Sequence, residues 1–498
     1  MKEWISRCHM THQHAPPIHG CKPTRLIKLA KDDAQLYSPE IPVKFAALSY
    51  LWGPGKQSET TKENVFERYK ELKTSDFPKT LQDAIHVTRR LGLEYIWIDR
   101  ICIVQDDKEE WTNEASLMAD IYASAYVVLS ATATEDCKDG FLQKRVEPLV
   151  IQYTQRGQEN CEVRARQIES HWCTREAQKT NYTLFQRGWC MQERFLARRT
   201  IHFLPDEILF ECQAGPECEC GAASKETMLR SDRQGFHHFA SLRAAPSMEG
   251  LNFAWEWFQM LWDYSKMKLT YGEDSLPALS GLATCMEHLK PGKYIAGLWQ
   301  HGIALQLGWC LDSRSSIRRW KYPKNVDILG LTFSWSSHVH PMQSRAPYDT
   351  RSICSLIKLE VDRATPNPYG QVRHVCLCLR GRVVPGDDMV SGLKTSKLGK
   401  YTGCVYLDSG YQFNDPWIKP NPPDDAQYEE LKNEITWKSV ICFGLYEYAG
   451  IRDSYLVDAL LLQPDKTGAG EYVRIGVVQK LEKSWFDEFA VLSTITIV

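Results

Sequence analysis

Residues 93–130, with the sequence LEYIWIDRICIVQDDKEEWTNEASLMADIYASAYVVLS, contain a complete strand–helix–strand pattern. The apolar run at 95–98 is typical of a strand that is covered on both faces. Asp107 is placed as the N-cap of a helix whose apolar stripe begins at Trp111. A second apolar run follows at 126–130. The stretch therefore predicts two parallel strands joined by a helix that packs on their sheet.

The same alternation continues on both sides of this stretch. Upstream we predict a strand over 45–51 and a helix capped by Thr80 and ended by Gly92; downstream we predict a helix over 189–198 and a strand over 200–203. Alternating strands and helices favour an α/β domain with a parallel sheet and flanking helices.

The remainder of the chain has a different pattern. Residues 251–290 have helical spacing, whereas residues 325–498 contain mostly short apolar runs typical of strands. We therefore expect a lead-in segment over 1–44, an α/β domain over 45–212, and an α+β domain over 213–498 that is first helical and then strand-rich.

The composition is that of a folded protein without a dominant charge. Of the 498 residues 43% are hydrophobic, and 60 Lys and Arg nearly balance 62 Asp and Glu. This balance argues against a nucleic-acid-binding role, which usually needs a basic face. No apolar run is long enough to predict a membrane span, and no signal peptide is apparent. We therefore expect a cytoplasmic protein whose 17 cysteines are mostly reduced.

Two acidic residues lie where a ligand site is expected. Asp99 follows the strand at 95–98, and ligands of open α/β sheets bind beyond the carboxyl ends of the strands. A loop Asp that caps the next helix is the alternative. Glu114 borders the apolar stripe of its helix, where a buried carboxylate paired with an Arg is the favoured interpretation.

Glu193 is the sharpest candidate. It lies between Trp189 and Leu196 on the helix face that should pack inward. A carboxylate there must be paired or must have a raised pKa. Arg187 and Arg194 are the nearby partners. The pattern leaves open a structural ion pair and a catalytic carboxylate in a cleft.

Cysteine and histidine residues form two groups with weak metal-site character. The first group comprises Cys8, His9, His12, His14, His19 and Cys21, and the second comprises Cys212, Cys218, Cys220, His237 and His238. Neither has the spacing of a standard zinc finger. We favour a polar tail and a segment with free thiols, so no metal is expected, and zinc stays open for both groups.

Several blocks of this chain resemble the fungal heterokaryon-incompatibility (HET) domain family in order and spacing. They are residues 47–53 (ALSYLWG), 78–85 (PKTLQDAI), 93–125 and 187–194 (RGWCMQER). Shorter segments at 23–27, 264–281, 296–299 and 334–336 extend the resemblance over nearly the whole chain. Leu51 and Arg100 depart from it, because the family often has Cys and a small residue at these positions.

The resemblance implies a role in nonself recognition and programmed cell death. It also implies a fold similar to TIR domains, with a flavodoxin-like parallel sheet. Residues 189–193 look like the W-C-x-x-E segment of TIR domains, whose Glu is the catalytic residue of an NAD glycohydrolase. Carried over, Glu193 is the catalytic residue; the substrate-binding residues are Trp52, Gly53, Asp99, Arg100, Glu114, Arg187 and Trp189.

Under this interpretation NAD or a related nucleotide is a substrate, and no cofactor is expected. Two other functions stay open. One is a non-enzymatic signalling module that associates with itself or with an incompatibility partner. The other is a HET-like enzyme that acts on a small molecule in secondary metabolism. Whether the protein is an enzyme is therefore left undecided by the sequence.

Overall fold

The computed structural model describes residues 1–14, 22–30, 33–53, 58–145, 147, 149–153, 161–165, 182–221, 236–248, 250–312, 331–338, 341–343, 346–347, 349–386, 388, 404–408, 412–413, 439–450 and 454–498. The chain divides into two compact units, Met1–Ala244 and Ala245–Val498. The first unit therefore contains both the proposed lead-in at 1–44 and the proposed α/β segment at 45–212.

The helices of the first unit are α1 (Lys2–Thr11), α2 (Val65–Arg68), α3 (Lys79–Leu91), α4 (Asp99–Cys102), α5 (Lys108–Ser124), α6 (Gly188–Leu196) and α7 (Phe236–Ala244). Its strands are β1 (Leu26–Leu29), β2 (Ala34–Tyr37), β3 (Ala46–Ser49), β4 (Tyr95–Trp97), β5 (Val127–Ser130), β6 (Leu149–Tyr153), β7 (Cys161–Ala165), β8 (Arg199–Phe203), β9 (Ile208–Cys212) and β10 (Gly215–Cys218).

The main sheet of this unit is mixed, with the order β10-β9-β8-β5-β3-β4-β1-β2. Strands β8, β5, β3 and β4 are parallel, as the sequence predicts. The outer strands are antiparallel, and β1 and β2 come from the segment expected to be a lead-in. Short connections explain the antiparallel pairs β1–β2, β8–β9 and β9–β10, because a tight turn can join only antiparallel neighbours. An α/β character with flanking helices is thus observed, in a sheet that is not purely parallel.

The strand order reverses at β3, which marks one edge of the sheet as the place where a ligand crevice is expected. The chain passes from β3 to β4 on one side and then returns to place β5 on the other side of β3. The connections therefore leave β3 in opposite directions, which is the arrangement that opens a ligand crevice beyond the strand ends. Ser49 and Ser130 are the last residues of β3 and β5 and are paired in register. We call the space beyond these two serines the switch-point crevice.

Burial explains why the central strands of the sheet could be predicted from the sequence. All residues of β3, β5 and β8 are buried, and β3 and β5 accordingly lie in nearly continuous apolar runs, whereas β8 also buries Arg199, Thr200 and His202. The ring of Trp97 lies edge-on to that of Tyr122, whose hydroxyl donates to the Leu48 carbonyl oxygen at 2.9 Å. These two contacts pack α5 against the centre of the sheet.

Most predicted helix ends are close to the observed ones. The Asp107 side chain accepts hydrogen bonds from two backbone amides of α5, which confirms its capping role. Gly92 ends α3 with a φ of 83°, as expected for a C-terminal glycine. The predicted cap at Thr80 is wrong: α3 begins at Lys79 after Pro78, and Thr80 is buried inside the first turn.

The helices of the second unit are α8 (Gly250–Ser265), α9 (Pro277–Met286), α10 (Ile303–Leu307) and α11 (Lys483–Phe489). Its strands are β11 (Tyr294–Ile295), β12 (Leu298–Trp299), β13 (Cys310–Leu311), β14 (Met342–Gln343), β15 (Arg351–Ser352), β16 (Ser355–Arg363), β17 (Val372–Pro385), β18 (Cys404–Leu407), β19 (Gln412–Phe413), β20 (Ile441–Ala449), β21 (Tyr455–Pro464), β22 (Tyr472–Glu482) and β23 (Val491–Ile497).

Helices precede strands in this unit, in the order that the sequence predicts. The pairings β17–β20, β20–β21, β21–β22, β22–β23 and β23–β17 close on themselves. Closure leaves these strands without a free edge on that path, which protects them from pairing with other chains. Within the residues described, no helix has the length and apolar character needed to span a membrane.

Candidate functional site

Three residues predicted as ligand-binding meet where β4 ends. Asp99 is the first residue of α4, and its Oδ2 accepts a hydrogen bond from Trp52 Nε1 at 2.7 Å. The Arg100 guanidinium lies over the Trp52 ring at 4.7 Å and donates to the Trp52 carbonyl oxygen at 3.0 Å. Arg100 therefore covers a face of the indole ring that was expected to stack on a base.

Glu193 lies next to the switch-point crevice, on α6. Its side chain is buried and accepts a hydrogen bond from Ser49 Oγ at the end of β3. Burial raises the pKa of Glu193 to about 7, although the Arg187 charge and the Ser49 hydrogen bond oppose this rise. The carboxyl group can thus change its protonation state close to neutral pH, which suits acid–base chemistry.

Arg187 connects the two carboxylates. It precedes α6, and its Nη1 donates to the Tyr50 carbonyl oxygen at 2.8 Å. Its positive charge lowers the pKa of both Asp99 and Glu193, whose own charges repel each other. Burial dominates for Asp99 and leaves its pKa above the ordinary value. Arg187, Asp99 and Glu193 therefore form one electrostatically coupled group.

The backbone conformation at Gly53 favours glycine. Its φ is 69°, and an added Cβ would lie 2.5 Å from Asp136 Oδ1. Glycine thus permits both the positive φ and the close approach of the backbone to the Asp136 side chain.

The structure places Glu114 in a different group. Its pKa is raised by burial, and Thr24 and Arg25, which lie just before β1, oppose this rise. Glu114 is therefore buried as expected, but the ion pair of Arg25 is formed with Glu110, and Arg25 affects Glu114 only through its charge. Trp189, in turn, has its ring edge-on to Trp111 of α5 at 6.3 Å.

Several residues of this region were not singled out from the sequence. Ser49 is the most important, and its only signal was its position at the end of a buried strand.

Arg194 was a predicted partner of Glu193, but it forms a bidentate ion pair with Glu211, with two N–O distances of 2.9 Å. His202 Nε2 lies 3.1 Å from the same carboxylate, and its Nδ1 lies 3.2 Å from Thr132 Oγ1.

An open cavity of about 430 Å³ borders the loop after α4. Arg68 and Gln105 are part of its wall. The Gln105 side-chain amide donates to the Asp99 carbonyl oxygen at 3.1 Å, so the cavity adjoins the segment that carries Asp99 and Arg100.

Residues 45–193 match the family described as Heterokaryon incompatibility protein (HET). The chain contains a HET domain. The matched segment begins just before β3 and ends on Glu193, so it spans Ser49, Trp52, Asp99 and Arg187. The resemblance is therefore confirmed for the sequence blocks within residues 45–193, and its extension to the shorter segments outside this range stays a prediction.

A curated relative supports the same assignment over a shorter stretch. It is "Heterokaryon incompatibility protein 6, OR allele" of Neurospora crassa, which is 37% identical over 95 residues. The alignment covers 18% of this chain and 14% of the relative's length. No solved structure matches the chain.

Proposed function

We propose that this protein acts in heterokaryon incompatibility, as an effector of nonself recognition and programmed cell death. We further propose that its HET domain hydrolyses the bond between ribose and nicotinamide in NAD or a related nucleotide. The HET match and the name of the Neurospora relative support the first part. The order of the parallel strands supports a flavodoxin-like and TIR-like arrangement of the domain.

The observation that carries the enzymatic part is the placement of Glu193. A buried carboxylate with a pKa of about 7 lies beside Ser49, where ligands of doubly wound sheets bind. Carboxylates near an anomeric carbon are the usual groups that break glycosidic bonds, through a transition state with oxocarbenium character.

The proposed step is a balanced hydrolysis. The C1–N bond breaks, and nicotinamide leaves with the electron pair as a neutral ring. Ionised Glu193 stabilises the positive charge that develops on the ribose and takes a proton from the attacking water. The water oxygen bonds to C1, so the products are nicotinamide, ADP-ribose and one proton.

Neighbouring residues have supporting roles in this proposal. Arg187 carries a positive charge that suits the pyrophosphate of a dinucleotide. Trp52 is half-buried, so the ring face that Arg100 does not cover is the one that would stack on a base. The adjoining cavity offers room for the remainder of the nucleotide.

Free thiols agree with the location that we propose. The cysteines whose side chains the structure describes are free of disulfides. Reduced thiols are normal in the cytoplasm, where NAD is also available.

The experiment is direct. The purified full-length chain is incubated with NAD, and nicotinamide and ADP-ribose are separated by chromatography. We expect the two products in equal amounts. NAD that stays intact at high protein concentration as well as at low concentration would reject the enzymatic part.

The rate of nicotinamide release should rise with pH between 6 and 8. Because the pKa of Glu193 is about 7, the ionised and active form is scarce at pH 6 and dominant at pH 8. We expect release to be roughly tenfold slower at pH 6 than at pH 8. A carboxyl group with an ordinary pKa would be ionised throughout this range, so a flat profile would contradict the assignment.

The burial of Glu193 favours a second candidate function. Its side chain is only 4% exposed, as expected of a carboxylate that stabilises the junction of β3 and α6. In that case the protein is a non-enzymatic module that signals by association with itself or with a partner. Light scattering of the same preparation separates the candidates, because self-association without nicotinamide release supports only the second.

A further inference from the structure

Four metal-ligand side chains meet outside the segment that matches the HET family. They are Cys8, His12, His14 and Cys212, and their donor atoms all lie within 4.8 Å of one another. Cys8 Sγ is 2.9 Å from His14 Nε2, and Cys212 Sγ is 3.4 Å from His12 Nδ1. The first three residues belong to one of the groups found in the sequence and Cys212 to the other, so neither group was complete by itself.

The local fold explains how these residues meet. Cys8 and Ile5 are the buried residues of α1, so Cys8 faces the protein interior. The helix ends at Thr11, and His12 has extended backbone angles of −108° and 130°. Residues two apart in an extended segment face the same side, which brings His12 and His14 together. Cys212 is the last residue of β9, on the strand against which α1 packs.

Other contacts hold α1 against this strand pair. The Trp4 ring stacks on that of Phe210 at 6.1 Å, and Arg7 forms an ion pair with Glu217 of β10. Because α1 is docked on these strands, the positions of the four donor atoms do not depend on a free N-terminal tail. This arrangement replaces the earlier interpretation of the histidines as residues of a polar tail.

The donor set and spacing suit zinc. Zinc is bound tetrahedrally at about 2.3 Å from sulfur and about 2.0–2.1 Å from histidine nitrogen. Donor atoms around such an ion lie roughly 3.3–3.8 Å apart. The Cys212–His12 distance of 3.4 Å falls within this range, whereas the Cys8–His14 distance of 2.9 Å is shorter and must lengthen when the ion binds. A set of two thiolates and two imidazoles also binds zinc in preference to harder cations.

The surroundings are those of a structural metal site. Cys8 is 1% exposed and Cys212 is fully buried, so the two sulfurs are shielded from water. Arg199 Nε donates to Cys8 Sγ at 3.2 Å, and such outer contacts orient ligands and stabilise thiolate charge. Four protein donors leave no open position for a substrate, which is typical of structural and not of catalytic zinc.

We propose that Cys8, His12, His14 and Cys212 bind one structural zinc ion that joins α1 to β9. The ion replaces two thiol protons and fixes the N-terminal helix on the edge region of the sheet. Because metal binding to a preformed site stabilises only the folded state, the site should contribute to the stability of the first unit.

A second cluster does not carry the same inference. Glu207, Cys218 and Cys220 have donor atoms within 4.8 Å of one another. They supply three donors, whereas a closed zinc site needs four. Cys21, His19 and the side chains of His237 and His238 lie outside the described residues.

The test measures metal in the full-length chain, purified with zinc in the growth medium and without added chelator. Elemental analysis should find roughly one zinc per chain. Cys212→Ser and His14→Ala should lose it, whereas His9→Ala should keep it, since His9 is an exposed histidine of the same helix. Cys220→Ser should also keep it. Zinc that survives Cys212→Ser but disappears in Cys220→Ser would overturn the proposal, as would a wild-type chain free of zinc.

Two further measurements guard against variants that fail to fold. His12→Cys keeps four zinc donors and should retain the metal. Cobalt added to the chelator-treated wild-type chain should give the visible absorption of tetrahedral cobalt with two thiolates. Intact mass without reductant gives an independent check, because a Cys8–Cys212 disulfide would overturn the proposal.

Removal of zinc by a chelator should lower the Tm of the first unit by about 5–10 °C. Zinc added back should restore it. The Cys212→Ser variant should show no response to the chelator, and an equal response in wild type and variant would contradict the assignment of the site.

Discussion

Replacement of Glu193 by Gln should reduce nicotinamide release from NAD by about 10²–10⁴-fold. Gln has the shape of the protonated carboxyl and can still accept the hydrogen bond from Ser49. It can neither stabilise positive charge on the ribose nor take a proton from water. The loss should therefore appear in kcat, because the amide fills the same space in the crevice.

Stability separates a chemical loss from unfolding. Since burial raises the pKa of Glu193 in the folded chain, the folded state binds this proton more tightly than the unfolded state. The ionised carboxylate thus costs stability as the pH rises through about 7, and Gln removes that cost. Glu193→Gln should be at least as stable as wild type at pH 8.

Glu114→Gln is the matched control. It changes another buried carboxyl of the first unit, one that lies with Thr24 and Arg25. It should retain nicotinamide release. Equal activity of wild type and Glu193→Gln would contradict the catalytic role, whereas equal losses in both variants would indicate a general effect of removing buried charge.

Replacement of Glu211 by Gln should destabilise the first unit by about 3–5 kcal/mol. Glu211 is 1% exposed and holds the bidentate ion pair with Arg194 as well as a hydrogen bond with His202. Without this charge, the largely buried Arg194 guanidinium loses both carboxylate contacts of the bidentate pair. We expect calorimetry to show a Tm for this unit that is roughly 6–15 °C lower.

The pH dependence of Glu211 has the opposite sign to that of Glu193. Burial by itself would raise the pKa of Glu211, but Arg194 and His202 lower it well below its ordinary value. Its contribution is therefore complete above the pKa of the unfolded carboxyl and is lost as the pH falls toward strongly acidic values. Glu147→Gln is the control, because the pair of Glu147 with Lys144 is exposed and should change the Tm little. An unchanged Tm in Glu211→Gln would reject the role of the buried pair.

The central strands and helices could be predicted because burial leaves a simple pattern. Strands buried on both faces are continuous apolar runs, and α5 has its cap and its stripe at the positions that the sequence indicates. The outer strands could not be placed in the same way. The β1–β2 pair is short and precedes the α/β pattern, so only its contact with β4 reveals that it belongs to the sheet.

The same limit applies to the candidate site. Helical spacing predicted that Glu193 is buried. The position of Asp99 directly after a strand predicted that it lies at the carboxyl end of the sheet. The residues that these side chains contact were harder to predict, because such contacts join elements that are far apart in the chain. Arg194 is adjacent to Glu193 in sequence, yet successive residues of a helix point in different directions, and Arg194 reaches Glu211. Cys8 and Cys212 likewise come together only when α1 packs on β9.

The most direct test of the central claim is the midpoint of the pH profile in Ser49→Ala. The Ser49 hydrogen bond lowers the pKa of Glu193, so its removal should move the midpoint of nicotinamide release to higher pH. Ser130→Ala is the matched control, because Ser130 ends the neighbouring strand in register with Ser49 and bonds to Thr132 instead. The account predicts an upward shift in Ser49→Ala and an unchanged midpoint in Ser130→Ala. The same midpoint in wild type and in both variants would show that Glu193 does not govern the reaction.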